Sequence, residues 1–119
     1  MSYVDGFVVP VPKRKIQAYK RMSRKAGKIW REYGAIDYVE CIADDVKPGK
    51  LTSFPQAVKL KAGEAVVFSW IIYKTRRDRD RINKKVMSDK RLASMMDPKK
   101  LPFDGKRMFW GGFKVIVDL

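Results

Sequence analysis

Apolar and polar positions alternate along the chain with two different periods. The longest apolar run, Ala65-Val66-Val67-Phe68-Ser69-Trp70-Ile71-Ile72-Tyr73, is rich in β-branched and aromatic residues and holds no Pro or Gly. A half-exposed strand would alternate with polar residues, so this run predicts a strand buried on both faces, with a buried helix as the competing reading. Gly63-Glu64 before it and Lys74-Thr75-Arg76-Arg77 after it favour a strand that ends in a turn.

Residues 3–9 predict a first strand, with Tyr3, Asp5, Phe7 and Val9 on one face and Val4, Gly6 and Val8 on the other. Pro10 and Pro12 are expected to end it, Pro12 suiting the first turn of a helix. Over residues 13–33 the period becomes helical. Ile16, Ala18, Tyr19, Met22, Ala26, Ile29, Trp30 and Tyr33 fill one side. Lys13, Arg14, Lys20, Arg21, Arg24, Lys25, Lys28 and Arg31 occupy an arc of roughly 140° on the other. Gly34 is the expected C-cap.

Residues 35–43 predict a second strand, carrying Ile36, Tyr38, Val39, Cys41 and Ile42. A long connection over residues 44–60 follows, with room for a short helical turn. Thr75 and Asp78 resemble a capping box and would start a second helix over residues 76–87. Ser88 is expected to cap a further short turn over residues 89–95. The last strand is expected over residues 108–110 and 113–117, with Gly111-Gly112 marking a bulge or a close backbone approach.

The order is β-α-β-β-α-β, a ferredoxin-like α+β domain. It predicts a four-stranded antiparallel sheet with two helices on one face, in a single domain over residues 1–119. A central strand that is apolar on both faces needs cover on the side away from the helices. A homodimer in which a second copy presents the same face supplies it.

Charge adds the next constraint. The formal net charge is +14, and nine basic residues with no acidic one lie between Lys13 and Arg31. Between Lys74 and Arg91 there are nine basic and three acidic residues. Such surfaces attract polyanions. There is no histidine, which excludes Ser-His triads, His general bases and His-ligated zinc or haem. The one cysteine, Cys41, rules out an intrachain disulfide and is expected to be a buried, inert thiol. No apolar run approaches the roughly 20 residues of a membrane span, and the first residues lack signal-peptide features. A cytoplasmic location with no membrane contact is the expectation.

Five segments also resemble a known family: residues 3–12, residues 38–45, Val67-Phe68-Ser69-Trp70, Arg79-Asp80-Arg81-Ile82-Asn83 and Met108-Phe109-Trp110-Gly111-Gly112-Phe113. Together they are similar to the YbaA-like family of unknown function. The resemblance implies the dimeric α/β-barrel superfamily, in which two ferredoxin-like chains pack sheet against sheet. It implies no activity.

Three functional readings remain. In the first, Asp5, Glu40, Ser69, Arg79 and Asn83 converge beside Trp70 and Trp110 on a pocket for a small organic molecule, with no metal or cofactor. The same groups serve equally as a structural ion pair or a dimer contact. In the second, Arg14, Arg21, Arg24, Lys25 and Lys28 follow nucleic-acid phosphates, although no aromatic residues interleave with them to stack bases. In the third, the basic face meets an acidic protein partner.

Overall fold

The computed structural model describes residues 2–119. The elements are β1 (Tyr3–Pro12), a 3₁₀ turn (Lys13–Lys15), α1 (Ile16–Glu32), β2 (Asp37–Ile42), α2 (Phe54–Ala57), β3 (Glu64–Tyr73), α3 (Arg76–Met87), α4 (Lys90–Met95), a second 3₁₀ turn (Gly105–Arg107) and β4 (Phe109–Lys114). The strands form one sheet in the order β2-β3-β1-β4, antiparallel throughout. That is the ferredoxin-like order, with α2 and α4 added to the two helices expected.

Register decides which residues see the helices. Tyr3, Asp5, Phe7 and Val9 pair with Tyr73, Ile71, Ser69 and Val67. This face meets α1, α3 and α4, whose Ile29, Trp30, Ile82, Val86 and Leu92 pack with Ile71 and Tyr73. Val4, Gly6 and Val8 pair with Ile72, Trp70 and Phe68 on the other face. There β3 is not fully buried as its sequence suggested: Phe68 is 41% exposed, with Phe109 at 46% and Phe113 at 63% beside it. Among the described residues, Phe54 of α2 meets Phe68 edge-on.

The two prolines do not end β1. Pro10 and Pro12 remain paired in register with Val66 and Glu64. Lys13 N–H donates to Gly63 O, so by alternation Pro10 and Pro12 turn their nitrogens to the opposite edge. β4 has left that edge by Val8, and no ladder bond is lost. β4 likewise stops at Lys114, short of the expected 117, because its partner strand begins at Tyr3. Its register is unbroken through Gly111 and Gly112, so there is no bulge. The glycines serve close approach: a Cβ at Gly112 would lie 2.4 Å from Tyr3 Oη and 2.9 Å from an Arg79 nitrogen.

Helix ends follow local chemistry. Gly34 adopts φ 117° just past α1, and the N–H groups of Gly34 and Ala35 return to Arg31 O and Trp30 O in a Schellman arrangement. Thr75 Oγ1 accepts from Asp78 N–H as expected. Asp89, not Ser88, caps α4, because Ser88 turns back onto Lys84 O at the end of α3. Cys41 is exposed, not buried, because it stands opposite Phe68 near the end of β2, on the face the helices do not cover.

Tyr38 packs directly on the backbone of α1 at Gly27, where a Cβ would lie 2.5 Å from the ring. A rigid ring wedged against helix backbone has nowhere to move. Gly27→Ala should therefore destabilise the fold by roughly 1–3 kcal/mol despite its better helix propensity. Urea denaturation checks this; an unchanged or raised midpoint would show that the ring can shift.

Candidate functional site

The residues singled out in the sequence fall into two hydrogen-bonded groups on the helix-facing side of the sheet. The first centres on Asp5, which has no exposed surface. Arg79 Nη1 lies 3.1 Å from Asp5 Oδ1, and Arg79 also stacks its guanidinium over the Tyr3 ring at 5.0 Å. Arg79 Nε sits 2.9 Å from Asp80 Oδ1, close enough for charge pairing but misaligned for a hydrogen bond. On the other carboxylate oxygen, Tyr73 Oη approaches to 3.0 Å and Asn83 Nδ2 to 3.4 Å. The Asn83 Oδ1 accepts from Trp30 Nε1 at 3.0 Å.

Counting protons is informative here. Tyr73 Oη lies near two acceptors, Asp5 Oδ2 and Asn83 Oδ1 at 3.1 Å, and a phenol has one proton. With Asp5 ionised, Tyr73 donates to the carboxylate. With Asp5 protonated, the carboxyl donates to Tyr73 and Tyr73 donates to Asn83. The network accommodates either state. Burial pushes the Asp5 carboxyl above its ordinary range, against the lowering effects of Tyr73, Arg79 and Asn83.

The second group centres on Glu40. Its two oxygens accept from Tyr19 and from Tyr38, the latter at 3.0 Å, and Ser23 Oγ lies 3.4 Å from Tyr38 Oη. Burial raises the Glu40 pKa, with the tyrosine hydrogen bonds opposing. Burial, with Glu40's charge as the next cause, also raises both phenols. Ser69 pairs across the sheet with Glu40 on one side and Phe7 on the other. It is 6% exposed, and Arg79 Nε, not the Ser69 hydroxyl, is the buried side-chain polar atom without a hydrogen-bond partner among the described residues.

Between these groups lies a cavity of about 200 Å³, lined by Phe7, Trp30, Tyr38, Glu40, Ser69, Asn83 and Trp110 among others. Four methionines, Met22, Met87, Met96 and Met108, complete its wall. Trp110 stacks on Phe7 with ring centroids 5.9 Å apart. Trp70 also borders the cavity, but it follows Ser69 in an extended strand, so its ring goes to the opposite face, 5.7 Å from Phe68. Of the basic candidates, Arg14, Arg21, Arg24, Lys25 and Lys28 are all exposed. Arg24 and Lys28 line a separate groove between α1 and β2.

Sequence reasoning missed Trp30, Tyr19, Tyr38 and Tyr73. The available signal was that a buried Tyr or Trp needs a partner for its polar tip, and Tyr38 and Glu40 share one strand face.

The fold and the cavity define a ferredoxin-like α+β domain with an apolar chamber between sheet and helices. The chain belongs to the family described as "Protein of unknown function (DUF1428)", whose model matches residues 2–105. It is 51% identical over 118 residues to the uncharacterized protein YbaA of Escherichia coli strain K12, covering 99% of both chains. The uncharacterized protein YbaA of Shigella flexneri matches equally, at 51% over 118 residues. Among solved structures, an uncharacterized NIPSNAP domain protein from Burkholderia xenovorans superposes with a TM-score of 0.56 at 11% identity. That match covers 95% of this chain and 93% of that one, and at this identity the likeness is one of fold.

The raised Glu40 pKa has a definite sign. The folded chain holds that proton more tightly than the unfolded chain, so the group's contribution to stability is largest at low pH. It declines as pH rises from the ordinary value of 4.5 toward the folded pKa. Other carboxylates, such as Glu64, shift the opposite way, so a difference measurement is required. Relative to Glu40→Gln, the wild-type protein should lose unfolding free energy as pH climbs through this window. Parallel stability–pH curves for the two proteins would show that Glu40 is not shifted.

Proposed function

We propose that the protein is a homodimer that binds a small, uncharged, mostly apolar molecule in the sheet–helix cavity. The observation that carries this reading is the apolar chamber itself, enclosed between sheet and helices, with Ser69 and Glu40 among the few polar groups on its wall. A few polar groups on an apolar wall fix the orientation of a bound molecule, and the Ser69 hydroxyl is placed to bond one polar group on it. The chamber, about 200 Å³, is smaller than the pockets of drug-sized ligands and fits a single ring or a short branched chain. Glu40, the carboxyl on that wall, favours a ligand that carries a hydrogen-bond donor. Exposed Met87 and Met96 line an adaptable mouth.

The dimer rests on the uncovered face of the sheet. Phe68, Trp70, Phe109, Phe113, Val4 and Val8 lie there together, and Asp37 is the charged side chain at its margin. A contiguous apolar surface of this kind favours an isologous contact with a second copy. The basic helices lie on the far side of each sheet, so packing the apolar faces keeps the two positive layers apart. The dimeric α/β barrel implied by the family resemblance is this arrangement.

Both readings are open to test by native mass spectrometry and sedimentation velocity on protein purified without denaturation. The wild type should sediment as a dimer, and Phe113→Glu, which places like charges across the twofold, should sediment as a monomer. A monomeric wild type would end the dimer reading. A retained mass of one small molecule per chain should be lost in Ser69→Leu, whose larger side chain fills the chamber. Retention of that mass by a folded Ser69→Leu protein would remove the chamber as the site.

A further inference from the structure

The groove between α1 and β2 is much larger than the apolar chamber, about 1120 Å³, and it runs along an open sheet edge. Ala43 N–H donates inward to Val66 O, and Val39 and Cys41 stand opposite Trp70 and Phe68 in the same register. Alternation therefore turns the main-chain groups of Tyr38, Glu40 and Ile42 outward, into the groove. Asp37 Oδ1 accepts from Tyr38 N–H at 3.1 Å, which leaves the amides of Glu40 and Ile42 facing outward. Proteins generally blunt such an edge; here it is left beside a charged wall.

That wall is α1. Lys20, Arg24, Lys28 and Arg31 line the groove, and among the described residues none of them forms an ion pair. The acidic side chains in the same groove are already engaged. Glu32 pairs with Arg91 at 2.7 Å, Glu40 accepts from two tyrosines, and Asp37 caps its own strand. Lys20, Arg24 and Lys28 repeat every four residues, about 6 Å along a helix. Alternate residues of an extended chain repeat at about 6.7 Å. The two spacings nearly coincide.

We propose that this groove binds an extended acidic segment of a partner protein as a fifth strand on β2. Its main chain bonds the outward groups of Glu40 and Ile42. Carboxylates at every second position face Lys20, Arg24 and Lys28. Strand addition of this kind draws affinity from main-chain bonds and specificity from alternate side chains. A second copy is a poor occupant, because β2-to-β2 pairing would bring together two α1 helices, each with its cations unpaired. Nucleic acid would satisfy the cations but not the strand edge. The proposal is independent of the apolar chamber, which lies on the inner side of Tyr38 and Glu40.

The test is fluorescence anisotropy with a labelled peptide of alternating Glu and Val. Its block isomer, with all Glu before all Val, and a backbone N-methylated version serve as controls, beside a single-stranded RNA of equal charge. The alternating peptide should bind at least about tenfold tighter than either control, as should be the case for wild type over the triple variant Lys20→Glu, Arg24→Glu, Lys28→Glu. Ile42→Pro removes one outward amide without touching the β3 ladder, and should weaken binding as well. Amide hydrogen exchange at Glu40 and Ile42 should slow only when the alternating peptide is present. Equal binding of the alternating and block peptides would reduce the groove to a charge effect and overturn the proposal. So would RNA binding without peptide binding, or edge amides already protected in the protein alone. The peptide controls do not depend on any variant folding.

Discussion

A carboxylate removed wholly from water has to be matched by charge and hydrogen bonds, and at Asp5 the matching groups come from several elements. Arg79 and Asn83 arrive from α3, Tyr73 from β3, and Trp30 of α1 holds Asn83 in place. Deleting one partner of such a pair leaves an uncompensated charge, which costs far more than the net worth of the pair. The helical layer is thereby tied to the sheet at one point, with its rotation about that point fixed by apolar contacts such as Ile82 and Val86. Gly112 belongs to the same device, since any side chain there would displace Tyr3 and Arg79. The chamber exists because the packing is pinned at Asp5 and again at Glu40, with Ser69 between them.

The sequence showed most of this architecture and only part of the site. Two periods of hydrophobicity located the four strands and the two long helices, whereas register came only with the folded sheet. Pairing Asp5 with Arg79 and Asn83 was legible because Arg79, Ile82, Asn83 and Val86 share a helix face. The division into two groups was not, because it depends on how far α1 leans across the sheet to bring Tyr19 onto Glu40. Trp70 borders the chamber as expected, yet consecutive residues in a strand face opposite sides, so its ring separates from the Ser69 side chain. The β1 prolines depend on strand order, which decides where an edge lies, and no local pattern encodes that.

The molecule segregates its surfaces sharply. One side of the sheet carries Phe68, Trp70, Phe109 and Phe113 with Asp37 at its margin, while the outer side of the helices carries most of the +14 net charge. These surfaces suit different kinds of contact: desolvation drives the first and is insensitive to salt, whereas screening weakens the second within about a Debye length. β2 sits where they meet, with its inner face toward the chamber and its edge toward α1. Glu40 is common to the chamber and the groove, so its two tyrosine hydrogen bonds form the partition between them.

The strand order has a consequence for how the chain is made. Within this domain β1 is made before both of its neighbours in the sheet: β3 begins at Glu64 and β4 ends at Lys114. A strand with two unsatisfied edges must wait for β4 to be made before its second ladder closes. Contacts this distant in sequence slow folding and leave hydrophobic surface available to other nascent chains. Among the elements formed during that wait, α1 is the one able to act early, and its like-charged outer face repels neighbouring copies. A basic helix formed early would, by like-charge repulsion, keep such unfinished sheets apart until β4 is made.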